Sequence, residues 1–378
     1  MPDKAHPRIV AAEVFRLAHA VRAVRAHGIG EISDRFETVF LALVTEDGRT
    51  GWGEAAPWAP FAGTSEASVA ALARYMAPAF IGAETGQTDA IMTRADQLLA
   101  GHPDAKAALE TALLDLHGQC SGKPIWALLG EKRRDRLPLS ISIADPVWER
   151  DLDLIARAHA AGIRILKFKA GFAEAAFDHM RIDAVASRWP DMRLRVDYNQ
   201  GLSPDQALEQ VPALDGLGLD FIEQPVRAKE WAAMAALTRA TTTPILADES
   251  VFDAHDLRLG HRDGIADAVS IKIFKTGGPL RAHRLAAQAQ TLGWPVYGGD
   301  MFETGVAHLA GMHMIAASDG FDWGCEFYHA NWHLKRDTLA TRFPEEDGAV
   351  IVPDAPGLGV AVDADRIRKT ALETIQLR

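Results

Sequence analysis

The chain has 378 residues, 48% hydrophobic and 24% charged, with a net charge of −11; this supports a large core, read as one large domain plus a smaller one. The acidic balance argues against a nucleic-acid surface but leaves room for a local basic pocket that binds a small anion. No apolar run reaches the length of a membrane span, the N-terminal MPDKAHPRIV lacks an apolar signal core, and Cys120 and Cys325 have neither zinc nor disulfide-framework spacing, so a cytoplasmic globular protein is expected.

Along the first third, Ile9 to Leu17 and Glu37 to Thr45 have strand character, and Asp47-Gly48 in EDGRTGWGEA marks a hairpin turn. In DAKAALETALLDLHGQCSG, the residues Ala105, Ala108, Leu109, Ala112, Leu113 and Leu116 recur at helical spacing, which predicts an amphipathic helix ending at Gly118 or Gly122. From about Leu137 the pattern changes to eight short apolar runs alternating with helical stretches. The runs are LSISIA (139–144), ILKFKAG (165–171), RLRVDYN (193–199), FIEQP (221–225), PILADES (244–250), AVSIKIFKTGG (268–278), PVYGGDM (295–301) and FDWGCEF (321–327). This alternation predicts a parallel (β/α) barrel, with an open doubly wound sheet as the alternative. No GxGxxG or Walker loop opens any of the helices, which weakens nucleotide binding. The closing VPDAPGLGVAVDADRI is loop-like and is expected to leave the barrel and pack on the first domain.

Functional side chains of a barrel gather at the C-terminal ends of its strands. Asp197, Glu223 and Asp248 fall late in three consecutive runs, 26 and 25 residues apart, which is one β/α repeat each. Three neighbouring carboxylates repel one another unless a cation neutralises them, and an oxygen-only donor set suits a hard divalent ion, Mg²⁺ or Mn²⁺. Asn199 lies two residues after Asp197, on the same face by strand alternation, and Glu249 and Asp300 are further candidates beside the metal or substrate. Lys167 and Lys169 share one strand face for the same reason, so both point into the barrel mouth, and Lys272 on the sixth run lies roughly opposite. Burial, a like-charged neighbour and a nearby metal each lower a lysine pKa, which predicts a lysine able to accept a proton.

KFK, VDYNQ, IEQP, ADES and SIKIFKTGG, in this order and spacing, resemble the enolase superfamily and, within it, the muconate lactonizing enzyme subgroup. The resemblance covers nearly the whole chain, since DGRTGWGEA resembles the end of the family's capping domain and PGLGVAVDADRI its closing segment. It implies an α/β fold, a modified TIM barrel (β/α)7β over residues 136–345. An N-terminal α+β capping domain would span 1–135, with 346–378 packing back on it. It implies Asp197, Glu223 and Asp248 as metal ligands, Lys169 and Lys272 as the acid/base pair, and Lys167 as an electrostatic assistant. Glu303 resembles a glutamate found after the seventh strand of muconate lactonizing enzymes, and Cys325-Glu326 takes the place of a Thr-Glu pair in the eighth. The mandelate racemase branch is disfavoured because the position of its aspartate holds Lys272, and WGCEFYH lacks the Asp-x-Asp with which dipeptide epimerases hold a substrate amine.

The expected activity is therefore an isomerase that moves a proton alpha to a carboxylate through an enediolate, first of all as a muconate-type cycloisomerase. Racemisation or epimerisation of an N-substituted amino acid, or an o-succinylbenzoate synthase-like reaction, is the alternative; a non-catalytic carboxylate-binding protein is the rival from another class. Arg22, Arg25, His27 and Arg35 of the N-terminal loop are candidates for a second substrate carboxylate, and Trp58 and Trp323 for an aromatic wall or a cage around a cation. A small-molecule carboxylate is the expected partner, in a homo-oligomer without nucleic-acid or membrane contacts.

Overall fold

Arg35–Thr45 is continuously buried over residues 38–43, with Phe40 and Ala42 on one face, and Val39, Leu41 and Leu43 on the other, packed in different apolar clusters, and it pairs antiparallel with Ile9–Ala20. In the computed structural model, which describes residues 6–378, they form the centre of a four-stranded antiparallel sheet with Thr50–Ala55 on one side and Glu373–Leu377 on the other. The first five residues of the N-terminal reading lie outside the described residues. Thr45 N donates to Arg49 O at 3.0 Å to close the hairpin, where Gly48 takes the left-handed conformation at φ 87°.

The helix predicted around Ala105–Leu116 runs over Pro103–Ser121 and stops at Gly122, whose φ of 66° is left-handed. It lies so close to Thr50–Ala55 that a Cβ on Gly53 would run into the carbonyl oxygen of Ala108. Asp115 on this helix accepts from Trp52 N at 2.9 Å and from Leu358 N at 2.9 Å, which ties the sheet and the returning C-terminal segment to one buried carboxylate. A second buried carboxylate, Glu54, leaves the same sheet edge and accepts from Thr304 N at 2.9 Å, Thr304 Oγ1 at 2.7 Å and Ala307 N at 3.0 Å, the first turn of helix Gly305–Ala316. Glu54 thus caps the helix N-terminus and joins the cap to the barrel.

The barrel strands are Ser140–Ile143, Ile165–Lys169, Arg193–Asp197, Leu219–Glu223, Ile245–Ala247, Ala268–Ile271 and Val296–Gly298, all parallel and paired in chain order. Their apolar side chains are almost continuously buried, as expected of strands covered on both faces. Closure depends on Cys325, which bridges in parallel to Leu139 on the first strand and Gly298 on the seventh. Ser140 N donates to Cys325 O at 2.7 Å and Glu326 N to Gly298 O at 3.0 Å. The eighth strand is reduced to these contacts, so the fold is a modified TIM barrel (β/α)7β rather than an open sheet. A small hairpin, Arg25–His27 with Gly30–Ile32, descends from the cap onto the barrel mouth. Ala26 N donates to Ala144 O at 2.8 Å, and Gly28 sits against Tyr198 O and Gly201 where a side chain has no room. Among the described residues, no helix is long and apolar enough to cross a membrane.

Candidate active site

Strand register builds the site. Lys169 pairs with Asp197 across the second and third strands, and Asp197 with Glu223 across the third and fourth, so three charged residues stand in one row at the strand ends. Asp248 and Lys272 each lie one residue beyond the next two strands. All five are buried. Charge balance is what makes this tolerable. Lys167 Nζ, deepest in the barrel, contacts Glu223 at 2.9 Å, Asp197 at 3.0 Å and Glu326 at 2.5 Å. Lys169 Nζ lies 2.6 Å from Asp197, Lys272 Nζ lies 2.6 Å from Asp248, and Lys275 Nζ lies 2.8 Å from Asp248 Oδ1 and 2.7 Å from its carbonyl oxygen.

The proton affinities follow from this packing. Burial pushes Asp197 up, but the ammonium groups of Lys167 and Lys169 outweigh it and hold the acid well below the usual carboxylate range. Asp248 is brought to about 2 when Lys272 and Lys275 outweigh its burial. Glu223 goes the other way, to about 7, through burial and the neighbouring Asp197 charge. Glu249 is raised well above its ordinary value by burial and by Asp248. At Lys167 and Lys272 the site produces the opposite of the expected lowering. Burial does depress Lys167 and Lys272, yet Asp197, Glu223 and Glu326 around the first and Asp248, Glu223 and Glu249 around the second raise both. Lys275 is lowered, by burial and with Lys272 adding like-charge repulsion. A bound cation would change this balance by taking over the lysines' role as counter-charge.

The carboxylates fit a hard divalent ion by chemistry and by one orphaned atom: Glu223 Oε1 is buried with no hydrogen-bond partner. Asp197 and Asp248 offer the remaining oxygens, now held by lysine ammonium groups. Lys167 reaches between Asp197 and Glu223, which keeps the three acids spread around the ammonium groups.

Above them lies a cavity lined by Lys169, Lys272, Asn199, Asp300 and Glu326 on the barrel side, and by Trp58, Phe61, Phe302, Arg25, His27, Tyr328 and His329 above and around. Asn199 reaches it for a different reason from the one expected. Its backbone is left-handed at φ 42°, past the strand end, so strand alternation no longer applies. Its N–H donates to Asp197 Oδ1 at 2.8 Å and its Nδ2 to Glu249 Oε1 at 3.5 Å. Glu303 is buried behind Asp300 and does not line the cavity.

Trp323 must be corrected. The eighth strand begins only at Gly324-Cys325, so Trp323 sits at its N-terminal end, packed on Phe221 at 5.3 Å in the barrel floor. It is remote in the fold from the cavity that Trp58 walls. Of the loop arginines, Arg25 enters the cavity, bonded through Nη1 to Ser142 O at 2.7 Å and through Nη2 to Ser142 Oγ at 2.5 Å, while Arg22 donates to Leu334 O at 2.7 Å. Arg35 is exposed. Lys275, His308 and His329 belong to the neighbourhood and were not singled out as site residues. For Lys275, its place three residues after Lys272, one helical turn, was the available signal.

A barrel with carboxylates and lysines at its strand ends, closed by an α+β cap, defines an enzyme of the enolase type. The family profile "Mandelate racemase / muconate lactonizing enzyme, N-terminal domain" matches residues 14–130, and "Enolase C-terminal domain-like" matches 151–366. The chain is 32% identical over 356 residues to muconate cycloisomerase 1-1 of Acinetobacter lwoffii, covering 92% of each protein. The crystal structure of a muconate cycloisomerase from Azorhizobium caulinodans is similar at TM-score 0.84 and 39% identity, covering 97% of this chain and 99% of that one. That of N-succinyl Arg/Lys racemase from Bacillus cereus gives TM-score 0.92 at 27% identity, covering 98% and 100%. The chain belongs to the mandelate racemase/muconate lactonizing enzyme family of the enolase superfamily, in its muconate lactonizing branch. It is an isomerase of that superfamily, whose members in this family depend on a divalent cation.

Proposed function

We propose that the protein is a muconate-type cycloisomerase in which Asp197, Glu223 and Asp248 would hold Mg²⁺ or Mn²⁺, and Lys169 and Lys272 carry protons to and from substrate carbon. The observation that carries the reading is that both lysines line one cavity directly beside the three carboxylates. When bound, the cation would supply positive charge against the enediolate dianion that forms when the carbon alpha to a carboxylate loses its proton, or when the other carboxylate of muconate adds to the β-carbon of the double bond conjugated with it. The chain's own residues do the rest. Lys169 and Lys272 face the reacting carbon from different strands, and whichever stands on the protonated face delivers the proton there. Lys167, held among Asp197, Glu223 and Glu326, stays an ammonium and keeps those acids in place. Asn199, Glu249 and Glu326 brace the same groups, with Glu303 behind Asp300. Arg25 presents a guanidinium anchored on Ser142, whose Nε has no partner, to the far end of the cavity, where a second carboxylate fits. Trp58 and Phe302, 5.2 Å apart, form an apolar wall of the cavity.

The test is the ultraviolet absorbance of cis,cis-muconate with Mn²⁺-loaded enzyme beside Lys169→Ala. Metal-dependent loss of the diene band, absent in the variant, is expected; persistence of the band in the wild type refutes cycloisomerisation. A second reading, racemisation of an N-substituted amino acid, is favoured by two lysines on the second and just beyond the sixth strand facing one cavity. It predicts deuterium exchange at the α-carbon of such substrates, lost in both lysine variants. To the same proposal belong the division into a cap (1–135 with 346–378) and a barrel (136–345), a cytoplasmic location and a homo-oligomer. Light scattering of the purified protein tests the last of these.

A further inference from the structure

Beyond the oxygen-only site, the last β/α unit of the barrel gathers a different set of donors. Asp300 follows the seventh strand, His308 lies in the first turn of helix Gly305–Ala316, and His329 opens the turn His329–His333 after the eighth. One donor atom from each lies within 4.8 Å of the other two. Asp300 Oδ2 is 3.4 Å from His308 Nε2 and 3.5 Å from His329 Nε2. With metal–nitrogen bonds of about 2.0–2.1 Å, the edge of a tetrahedral site is roughly 3.3–3.4 Å, so the two separations from Asp300 are close to those of ligands around one small ion, and the third, between the histidines, lies within 4.8 Å. As hydrogen bonds they are too long to be strong.

The polar accounting agrees. His308 is fully buried, yet neither ring nitrogen has a hydrogen-bond partner, and Asp300 Oδ2 and His329 Nδ1 are likewise unsatisfied. A buried donor or acceptor left without a partner keeps its desolvation cost, which a shared ligand would offset. Phe327 and Phe343 wall the far side of His308, at ring separations of 5.3 and 5.6 Å, so water does not reach it from behind. Glu303 Oε2 stands 3.8 Å from His308 Nε2 as a second acid. Asp300 and His329 also line the substrate cavity, so a coordination position opens toward it.

We propose that Asp300, His308 and His329 form a second metal site that takes a borderline divalent ion of the Zn²⁺ type, with its open position facing the cavity. Two imidazoles and one carboxylate select such an ion over Mg²⁺, which prefers six oxygens in near-octahedral geometry. This inference is independent of the reaction proposed above.

Its test is equilibrium dialysis of the full chain against Zn²⁺ in excess Mg²⁺, followed by metal analysis, with Co²⁺ as a spectroscopic probe. The wild type should retain one Zn²⁺ per chain and show the intense visible bands of four-coordinate Co²⁺. The retained Zn²⁺ should be lost in His308→Gln and in His329→Gln and kept in Asp248→Asn. Zn²⁺ should also raise the wild-type melting temperature above that in Mg²⁺ alone. No retention by the wild type, or retention undiminished in both histidine variants, overturns the site. Loss in Asp248→Asn with retention in both histidine variants assigns the zinc to the oxygen site and also overturns it.

Discussion

Replacing Lys167 with methionine keeps most of the side chain's length and removes its charge, so it tests whether one ammonium holds three acids in the barrel. Lys167 Nζ lies 2.9, 3.0 and 2.5 Å from Glu223, Asp197 and Glu326, all buried. At about 3 Å and an effective dielectric near 20, each contact is an attraction of roughly 5 kcal/mol, or roughly 15 in all. Much of that is returned because the ammonium need no longer be desolvated, at several kcal/mol per buried ion. A further part is returned because Glu223, already raised to about 7, takes up a proton. The net expectation is about 3–5 kcal/mol of lost stability at pH 8 in chelator-treated protein.

The pH dependence has a definite sign. Without Lys167 the folded pKa of Glu223 rises further above its ordinary value of 4.5. A carboxyl group raised in this way contributes stability that is fully present below the unfolded pKa and lost as pH rises through the folded pKa. The deficit of the variant is therefore smaller at pH 5.5 than at pH 8, and Mn²⁺ should recover part of it by supplying the missing positive charge. Urea unfolding of both proteins at the two pH values, with and without Mn²⁺, measures this. A loss at pH 8 under about 1 kcal/mol, or one that does not vary with pH, refutes the account of Lys167 as the central counter-charge.

Gly53→Ala forces a Cβ into the Ala108 carbonyl, so a loss of about 1–3 kcal/mol or more is expected; an unchanged melting temperature would show that the helix can shift freely. Glu54, raised by burial to about 7, is stabilising when protonated below its ordinary pKa and loses this as pH rises through 7. Glu54→Gln should therefore gain on the wild type by about 2–3 kcal/mol between pH 5 and 8, and a constant difference in unfolding free energy would contradict it. Trp58→Ala should lower kcat/KM by about tenfold or more through lost cavity contacts, while Trp323→Phe should leave kcat/KM unchanged and lower thermal stability. Equal kinetic effects would return Trp323 to the site.

Much of the site was legible because it obeys local periodicity. Lys167 and Lys169 share a strand face by alternation, and Asp197, Glu223 and Asp248 recur once per β/α unit, so spacing alone predicts neighbours at a barrel mouth. The helix over Pro103–Ser121 and the left-handed stop at Gly122 follow equally from residue pattern. Where periodicity ends, so does the reading. Trp323 was placed by assuming a full eighth strand, but closure consists of bridges around Cys325, which puts that ring on the floor. Asn199 reaches the cavity through a left-handed backbone that strand alternation does not describe.

The direction in which the lysines titrate depends on how many carboxylates surround each ammonium, and the approach of His308 and His329 to Asp300 depends on how the last barrel unit closes over the cap contact at Glu54. The sequence by itself determined the repeating units, the faces of their strands and the donor types at their ends, because those depend on backbone geometry over a few residues. Only the tertiary structure decided the buried charge balance and the meeting of His308, His329 and Asp300, because distances between elements are set by packing and electrostatic energies by every neighbour at once.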